Sequence, residues 1–165
     1  RDVAPSRGLG DVYKRQAQRG GSVTAQIRFG EEVLSPLILE GTADALGALE
    51  PIETLRYSHY LKPEGAAVVA SRPIIPVTVS SGQAVYPADV EERLRRTFPR
   101  LKYVDFDAAA LEKFNNPKTA NTILLGALSS GLPLPDEAWR GAIAECVKPA
   151  YAELNLHAFE YGRTL

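Results

Sequence analysis

From Ser22 onward, Val23, Ala25, Ile27 and Phe29 alternate with Thr24, Gln26 and Arg28, the period of a strand with one buried face. Gly30 closes it. After a proline-containing connection over residues 34–39, the apolar run 43–49 predicts a short buried strand. Glu50-Pro51 then opens a helix to about residue 61, since proline's missing N–H has no partner in a first turn anyway. Lys62-Pro63-Glu64-Gly65 reads as a turn and 66–70 as a third apolar strand. Pro73, Pro76 and Ser80-Ser81-Gly82 make 71–86 a long irregular crossing rather than an interdomain linker.

Acidic Asp89, Glu91 and Glu92 precede Arg93, Arg95 and Arg96, matching both ends of a helix dipole. Residues 101–106 predict a fourth strand. The remainder is helical: about 108–114, 118–130, 137–147 and 150–161. Asn116-Pro117 separates the first pair, residues 131–135 the second, and Asp136 is the expected N-cap of the helix carrying Trp139. Strands interleaved with helices predict an α/β fold with a mostly parallel sheet and helices on both faces.

Composition narrows the function. The 165 residues suit one domain with a sizeable core, and a net charge of -1 without a basic block leaves no footprint for nucleic acid. No apolar run is long enough to span a bilayer. A single cysteine, Cys146, forms no internal disulfide and holds no iron–sulfur cluster or structural zinc by itself. It is expected to be a small core residue beside Ala142 and Ile143. The chain contains no methionine, which suggests a fragment. Residues 1–16 are polar and aperiodic, resemble translated adapter sequence from Arg7 onward, and are expected to be a non-native or disordered leader ahead of a domain at 17–165. Gly8-Leu9-Gly10 lacks the strand and third glycine of a phosphate loop.

Ligands of open parallel sheets gather outside the carboxyl ends of the strands, which singles out Glu50-Pro51 and Ser71-Arg72-Pro73. Glu50 reads first as a helix cap and Arg72 as a solvated cation. Gln18-Arg19-Gly20-Gly21-Ser22 is the densest polar group. Its glycines permit close backbone approach, and Arg19 could bind phosphate or carboxylate, although a tight strand-entry turn explains the same residues. In Asn115–Asn121, Thr119 or Asn116 suffices to cap the next helix. Asn121 falls inside that helix, where asparagine is a poor former, so a tertiary contact is expected to compensate it. His59 and His157 lack metal-ligand spacing and read as exposed or core-edge residues. Neither a serine in a nucleophile turn nor a histidine beside Cys146 supports a self-contained hydrolase or thiol enzyme.

An ordered series runs from Ala17-Gln18-Arg19-Gly20-Gly21-Ser22-Val23 through Ile27-Arg28-Phe29-Gly30, Ser35-Pro36-Leu37-Ile38, Ala43-Asp44 and Leu49-Glu50-Pro51. It continues in Tyr60-Leu61-Lys62-Pro63, Asn116-Pro117 and residues 121–128. The series resembles the indolepyruvate ferredoxin oxidoreductase beta subunit, within the gamma-type domains of 2-oxoacid:ferredoxin oxidoreductases, over residues 17 to about 159. That resemblance implies a three-layer Rossmann-like fold lacking here its first strand, GxGGQG turn and helix, with residues 1–16 in their place.

It further implies a cytoplasmic subunit of an enzyme that oxidatively decarboxylates indolepyruvate and other arylpyruvates to the acyl-coenzyme A, reducing ferredoxin. Thiamine diphosphate, magnesium and the iron–sulfur clusters would reside on a larger alpha subunit, coenzyme A would be co-substrate, and this chain alone would bind no cofactor. Gln18, Arg19, Gly20, Gly21 and Asn121 are the coenzyme A-binding residues it suggests. Arg19 stands where the related pyruvate enzymes favour lysine and serine. Catalytic residues of this chain remain unassigned and none is a metal ligand. The competing reading is a stand-alone nucleotide- or coenzyme A-binding sensor of the same fold.

Three structural expectations follow. Residues 1–16 should pack poorly, the sheet should show an unpaired edge, and Arg19, Gly20 and Asn121 should converge.

Overall fold

The computed structural model describes residues 12–16, as backbone, and 23–165. The central sheet has three parallel strands in the order β3 (Ala43–Ala48), β4 (Leu61–Ala70) and β5 (Leu101–Val104). Each outer strand has one side without a strand neighbour among the described residues. The short apolar runs explain the burial, because successive side chains of a strand covered on both faces must all be apolar. Val68 points into one layer, with Phe106, Ala110, Ala120, Ile123, Ala127 and Ala158. Ala67 and Val69 point into the other, with Val90, Leu94 and Phe98.

The first layer is built from α4 (Phe106–Phe114), α5 (Ala120–Ser129) and α7 (Pro149–Thr164). Across the sheet lie α1 (Pro51–Arg56) and α3 (Val90–Thr97). This is the three-layer α/β arrangement that the pattern predicts. In α3, Asp89 and Glu91 pair with Arg93 and Arg95 one turn on, and the helix buries Val90 and Leu94.

Several local expectations are corrected. Val12–Gln16 is a strand, β1, paired antiparallel with β2 (Val23–Ile27), so the expected leader is not wholly irregular. An adjacent edge supplies main-chain bonds without requiring an apolar period. In β2 the faces are opposite to expectation: Val23 and Ile27 are 61% and 59% exposed, while Thr24 and Gln26 are half-buried. The cause is polar. Gln26 Oε1 accepts the Ile38 N–H at 2.7 Å, and Arg28 Nη1 donates to the Ser35 and Leu37 carbonyls. This strand is fastened to residues 35–38 by its hydrogen-bonding face.

The predicted turn at 62–65 lies inside β4. Ala43 faces Leu61 but Ala45 faces Ala66, so the intervening residues bulge out of register. Phe106 begins α4 rather than ending β5, because Asp105 already caps the helix by accepting the Ala108 N–H. In α6 (Asp136–Cys146) the N-cap is Pro135, not Asp136, which instead pairs with Arg163 of α7. Cys146 is exposed. Trp139 and Ile143 form the inward face, with Trp139 against Phe159 at 5.8 Å, and Cys146, seven residues after Trp139, shares that direction but is the last residue of the helix.

Candidate functional site at the carboxyl ends of the strands

β3 is followed by Leu49-Glu50, β4 by Ser71-Arg72 and β5 by Asp105, and the first two are the strand-end positions the sequence indicates. Glu50 is buried and caps α1, one carboxylate oxygen accepting the Glu53 N–H at 2.9 Å. Its other oxygen accepts the Tyr86 hydroxyl at 2.7 Å. Thr54, also buried, donates its hydroxyl to the Glu50 carbonyl. The cap reading of Glu50 therefore holds, with an added long-range partner. Tyr86 lies 36 residues away in sequence, and no local pattern announces the pair.

A shallow cleft beside this pair is lined by Ser71, Pro73, Tyr86, Ala88, Glu91 and Tyr103. Tyr103 donates to the Ser71 carbonyl at 3.2 Å, and the Ser71 N–H donates to Val104. Burial pushes both phenols upward, assisted at Tyr86 by its bond to Glu50 and at Tyr103 by the charges of Glu91 and Glu50. Arg72 is exposed and lies 3.5 Å from Asp107, so its charge is already matched. Glu91 on the cleft wall is likewise matched, by Arg95 at 2.7 Å, so the cleft offers phenols and the Ser71 carbonyl rather than a net charge.

Asn121 lies on another part of the same edge. A methyl group at Gly131 would sit 2.7 Å from Ala66 Cβ, whereas Leu124 and Leu128 touch Gly47, two register positions further along the sheet. α5 therefore runs against the strand direction and brings its first turn to the carboxyl ends. Asn121 is exposed there, in the first turn rather than the helix interior. Its side chain makes no hydrogen bond to the described residues, so the compensating contact expected from sequence is absent among them. Its neighbour Thr122 supplies the tertiary bond, donating to Asn155 Oδ1 at 2.7 Å, while Asn155 Nδ2 donates to the Tyr151 carbonyl. Asn116 caps the short 3-10 turn Pro117–Thr119 through the Lys118 N–H, and Thr119 is buried.

Gln18, Arg19, Gly20 and Gly21 lie outside the described residues, and with them the expected convergence on Asn121. His59 and His157 are exposed, His59 being 4.0 Å from Glu40. Among the described residues no group of three or more His, Cys, Asp or Glu is placed to hold a metal ion, and no helix is long and apolar enough to cross a membrane. Lys102 is half-buried at the other end of α5. Desolvation, then the charge of Arg100, lowers its pKa, and its ammonium donates to Ser130 Oγ at 3.0 Å.

A parallel sheet with helices packed on both faces and helix starts gathered at its carboxyl edge defines an α/β protein of the Rossmann-like class. In fold it is similar to the gamma subunit of a keto/oxoacid ferredoxin oxidoreductase from Geobacter sulfurreducens. That likeness has a TM-score of 0.61 and 21% identity, covering 93% of this chain and 77% of that one. Residues 14–165 match the pyruvate ferredoxin/flavodoxin oxidoreductase family, and the chain belongs to that family. It is 40% identical over 159 residues to the indolepyruvate oxidoreductase subunit IorB of Thermococcus kodakarensis, and 38% identical over 159 residues to that of Pyrococcus horikoshii. Each alignment covers 93% of this chain and 78% of the relative.

Proposed function

We propose that this chain is the coenzyme A-binding subunit of an indolepyruvate ferredoxin oxidoreductase. The observation that carries the reading is the 40% identity, across nearly the whole chain, to a relative named as an indolepyruvate oxidoreductase subunit. The reaction is oxidative decarboxylation of indolepyruvate and other arylpyruvates. The bond to the carboxylate carbon breaks and carbon dioxide leaves. The thiol of coenzyme A gains the acyl group and gives up its proton, while the electron pair reduces ferredoxin. Thiamine diphosphate with magnesium supplies the carbanion chemistry, and iron–sulfur clusters carry the electrons, on a larger alpha subunit in the cytoplasm.

This chain's part is to bind and orient coenzyme A. Arg19 brings a permanent charge for a phosphate, Gly20 and Gly21 let main-chain N–H groups approach it, and Gln18 and Asn121 orient the ligand by hydrogen bonds. An exposed, uncommitted Asn121 amide at the carboxyl edge supports that role.

The test is the chain co-produced with its alpha subunit. Reduction of viologen or ferredoxin that depends on both indolepyruvate and coenzyme A supports the reading, and Asn121→Ala should raise the apparent KM for coenzyme A about tenfold with kcat unchanged, roughly one lost oriented hydrogen bond. Full activity of this chain alone would overturn it, and tight coenzyme A binding by the isolated monomer with an inert complex would favour a stand-alone sensor.

A further inference from the structure

Among the described residues, the crossing between β4 and α3 is anchored by hydrogen bonds only at its ends. At the start, the Ser71 N–H donates to Val104 and Tyr103 donates to the Ser71 carbonyl, and at the finish the Tyr86 hydroxyl is held by Glu50. Between these anchors the hydrogen bonds given by Val79, Ser80, Ser81, Gly82, Gln83 and Ala84 all return to Pro76–Val79 within the excursion itself, around the short helix α2 (Val77–Ser80). Ile74 is 62% exposed, Val77 72% and Val85 89%, with Ile75 also open to solvent. No charged residue occurs from Pro73 to Ala88. Surface loops of this length without charge are uncommon in compact domains unless they bind something, and solvent alone gives no reason to expose four large aliphatic side chains within one short segment.

We infer that residues 73–85 are the docking element by which this chain engages the thiamine- and cluster-bearing subunit of its complex. The inference rests on the proposed function. Two observations select that occupant. The excursion stands on the carboxyl edge of the sheet, beside Glu50 and Tyr86 and on the same edge as Asn121. A ligand held at this edge must be presented to the chain that carries the redox groups, which the proposed function places on the partner subunit. An uncharged surface also matches an apolar, uncharged groove and no other kind, because a charged partner group would be desolvated here without a counter-charge. Pro73 and Pro76 restrict the free segment and so reduce the ordering entropy lost on docking.

The experiment uses the full chain co-produced with its alpha subunit and compares Ile74→Asp/Val77→Asp with Leu34→Asp, a still more exposed leucine distant in sequence. Both substituted sites face solvent, so the far-ultraviolet spectrum and thermal midpoint of the isolated chain serve as folding controls. The expected result is at least a tenfold loss of co-purifying alpha subunit for the double variant, with Leu34→Asp assembling like the parent. Normal assembly of the double variant overturns the inference. So does equal loss in both variants, or a chain that self-associates through 73–85 while still binding alpha. Assembly is read by co-purification, independently of turnover. An intact but inactive parent complex would count against the oxidoreductase reading while leaving the docking result interpretable.

Discussion

The α5–α7 pair and the 73–85 excursion represent opposite solutions to the same problem of placing apolar side chains. In the helix pair the two backbones nearly touch. A methyl group at Gly126 would collide with the Phe159 carbonyl, and one at Gly162 with the Ile123 carbonyl. Ile123, Ala127, Ala158 and Phe159 are completely enclosed around that crossing. The excursion carries side chains just as apolar, yet makes its hydrogen bonds to itself and leaves Ile74, Val77 and Val85 in water. One region is finished by its own chain. The other has the composition of an interface and lacks its second half.

The largest expected effect breaks the finished region. Gly162→Ala or Gly126→Ala should force the helices apart and cost about 3 kcal/mol each, the upper part of the overpacking range. For a domain of this size that lowers the thermal midpoint by roughly 6–12 °C, measured by calorimetry on the isolated chain. A shift below about 2 °C would mean that the crossing yields easily. The same substitution at Gly141, an exposed mid-helix position where a methyl meets nothing, is the control and should raise stability by about 0.5–1 kcal/mol.

The next effect concerns the anchor that joins the two regimes. Glu50→Ala removes both the helix cap and the Tyr86 acceptor and should cost about 2 kcal/mol, whereas Tyr86→Phe should cost about 1. In a double-mutant cycle by urea unfolding, the two should couple by about 1 kcal/mol. Additive losses would show that the hydroxyl bond contributes nothing of its own.

The anchor also has a pH signature. Burial and the Glu50 bond raise the folded-state pKa of Tyr86 above the ordinary value of 10.0. Folded protein therefore keeps the phenol protonated where unfolded chain loses the proton. The stabilisation is complete below about pH 10 and declines as pH rises from there through the folded pKa. Unfolding followed between pH 8 and 11 should show a steeper alkaline decline for the parent than for Tyr86→Phe, and parallel curves would refute the linkage.

The smallest expected effect is Thr122→Val, which removes the hydroxyl bond to Asn155 while keeping shape and should cost about 1 kcal/mol. Asn121→Ala next to it should leave stability unchanged, because that side chain holds nothing in the described structure. Comparable melting losses for both would erase the distinction drawn between these neighbours.

The sheet was legible because the strands at 43–48, 66–70 and 101–104 are covered on both faces, so their sequences are apolar in succession. The helices were legible from proline, asparagine and charge punctuation at their ends. What failed did so where distant groups decide. Alternation in β2 marks a strand but not which face is buried, and Gln26 and Arg28 decide that by bonding to residues 35–38. Cys146 shares the face of Trp139 and Ile143 but is the last residue of α6, and periodicity does not tell where the contact with α7 stops. At the site, Glu50 and Ser71 were legible from strand ends, while Tyr86 was not, being brought in by the crossing.

Hydrogen exchange on the isolated chain and on its complex with the alpha subunit tests the unfinished-interface account most directly. Amides of α5 and α7 should exchange slowly in both states, and those of residues 73–85 should exchange fast in the free chain and at least tenfold more slowly in the complex. Unchanged exchange over 73–85, with protection appearing elsewhere on the chain, would contradict the account.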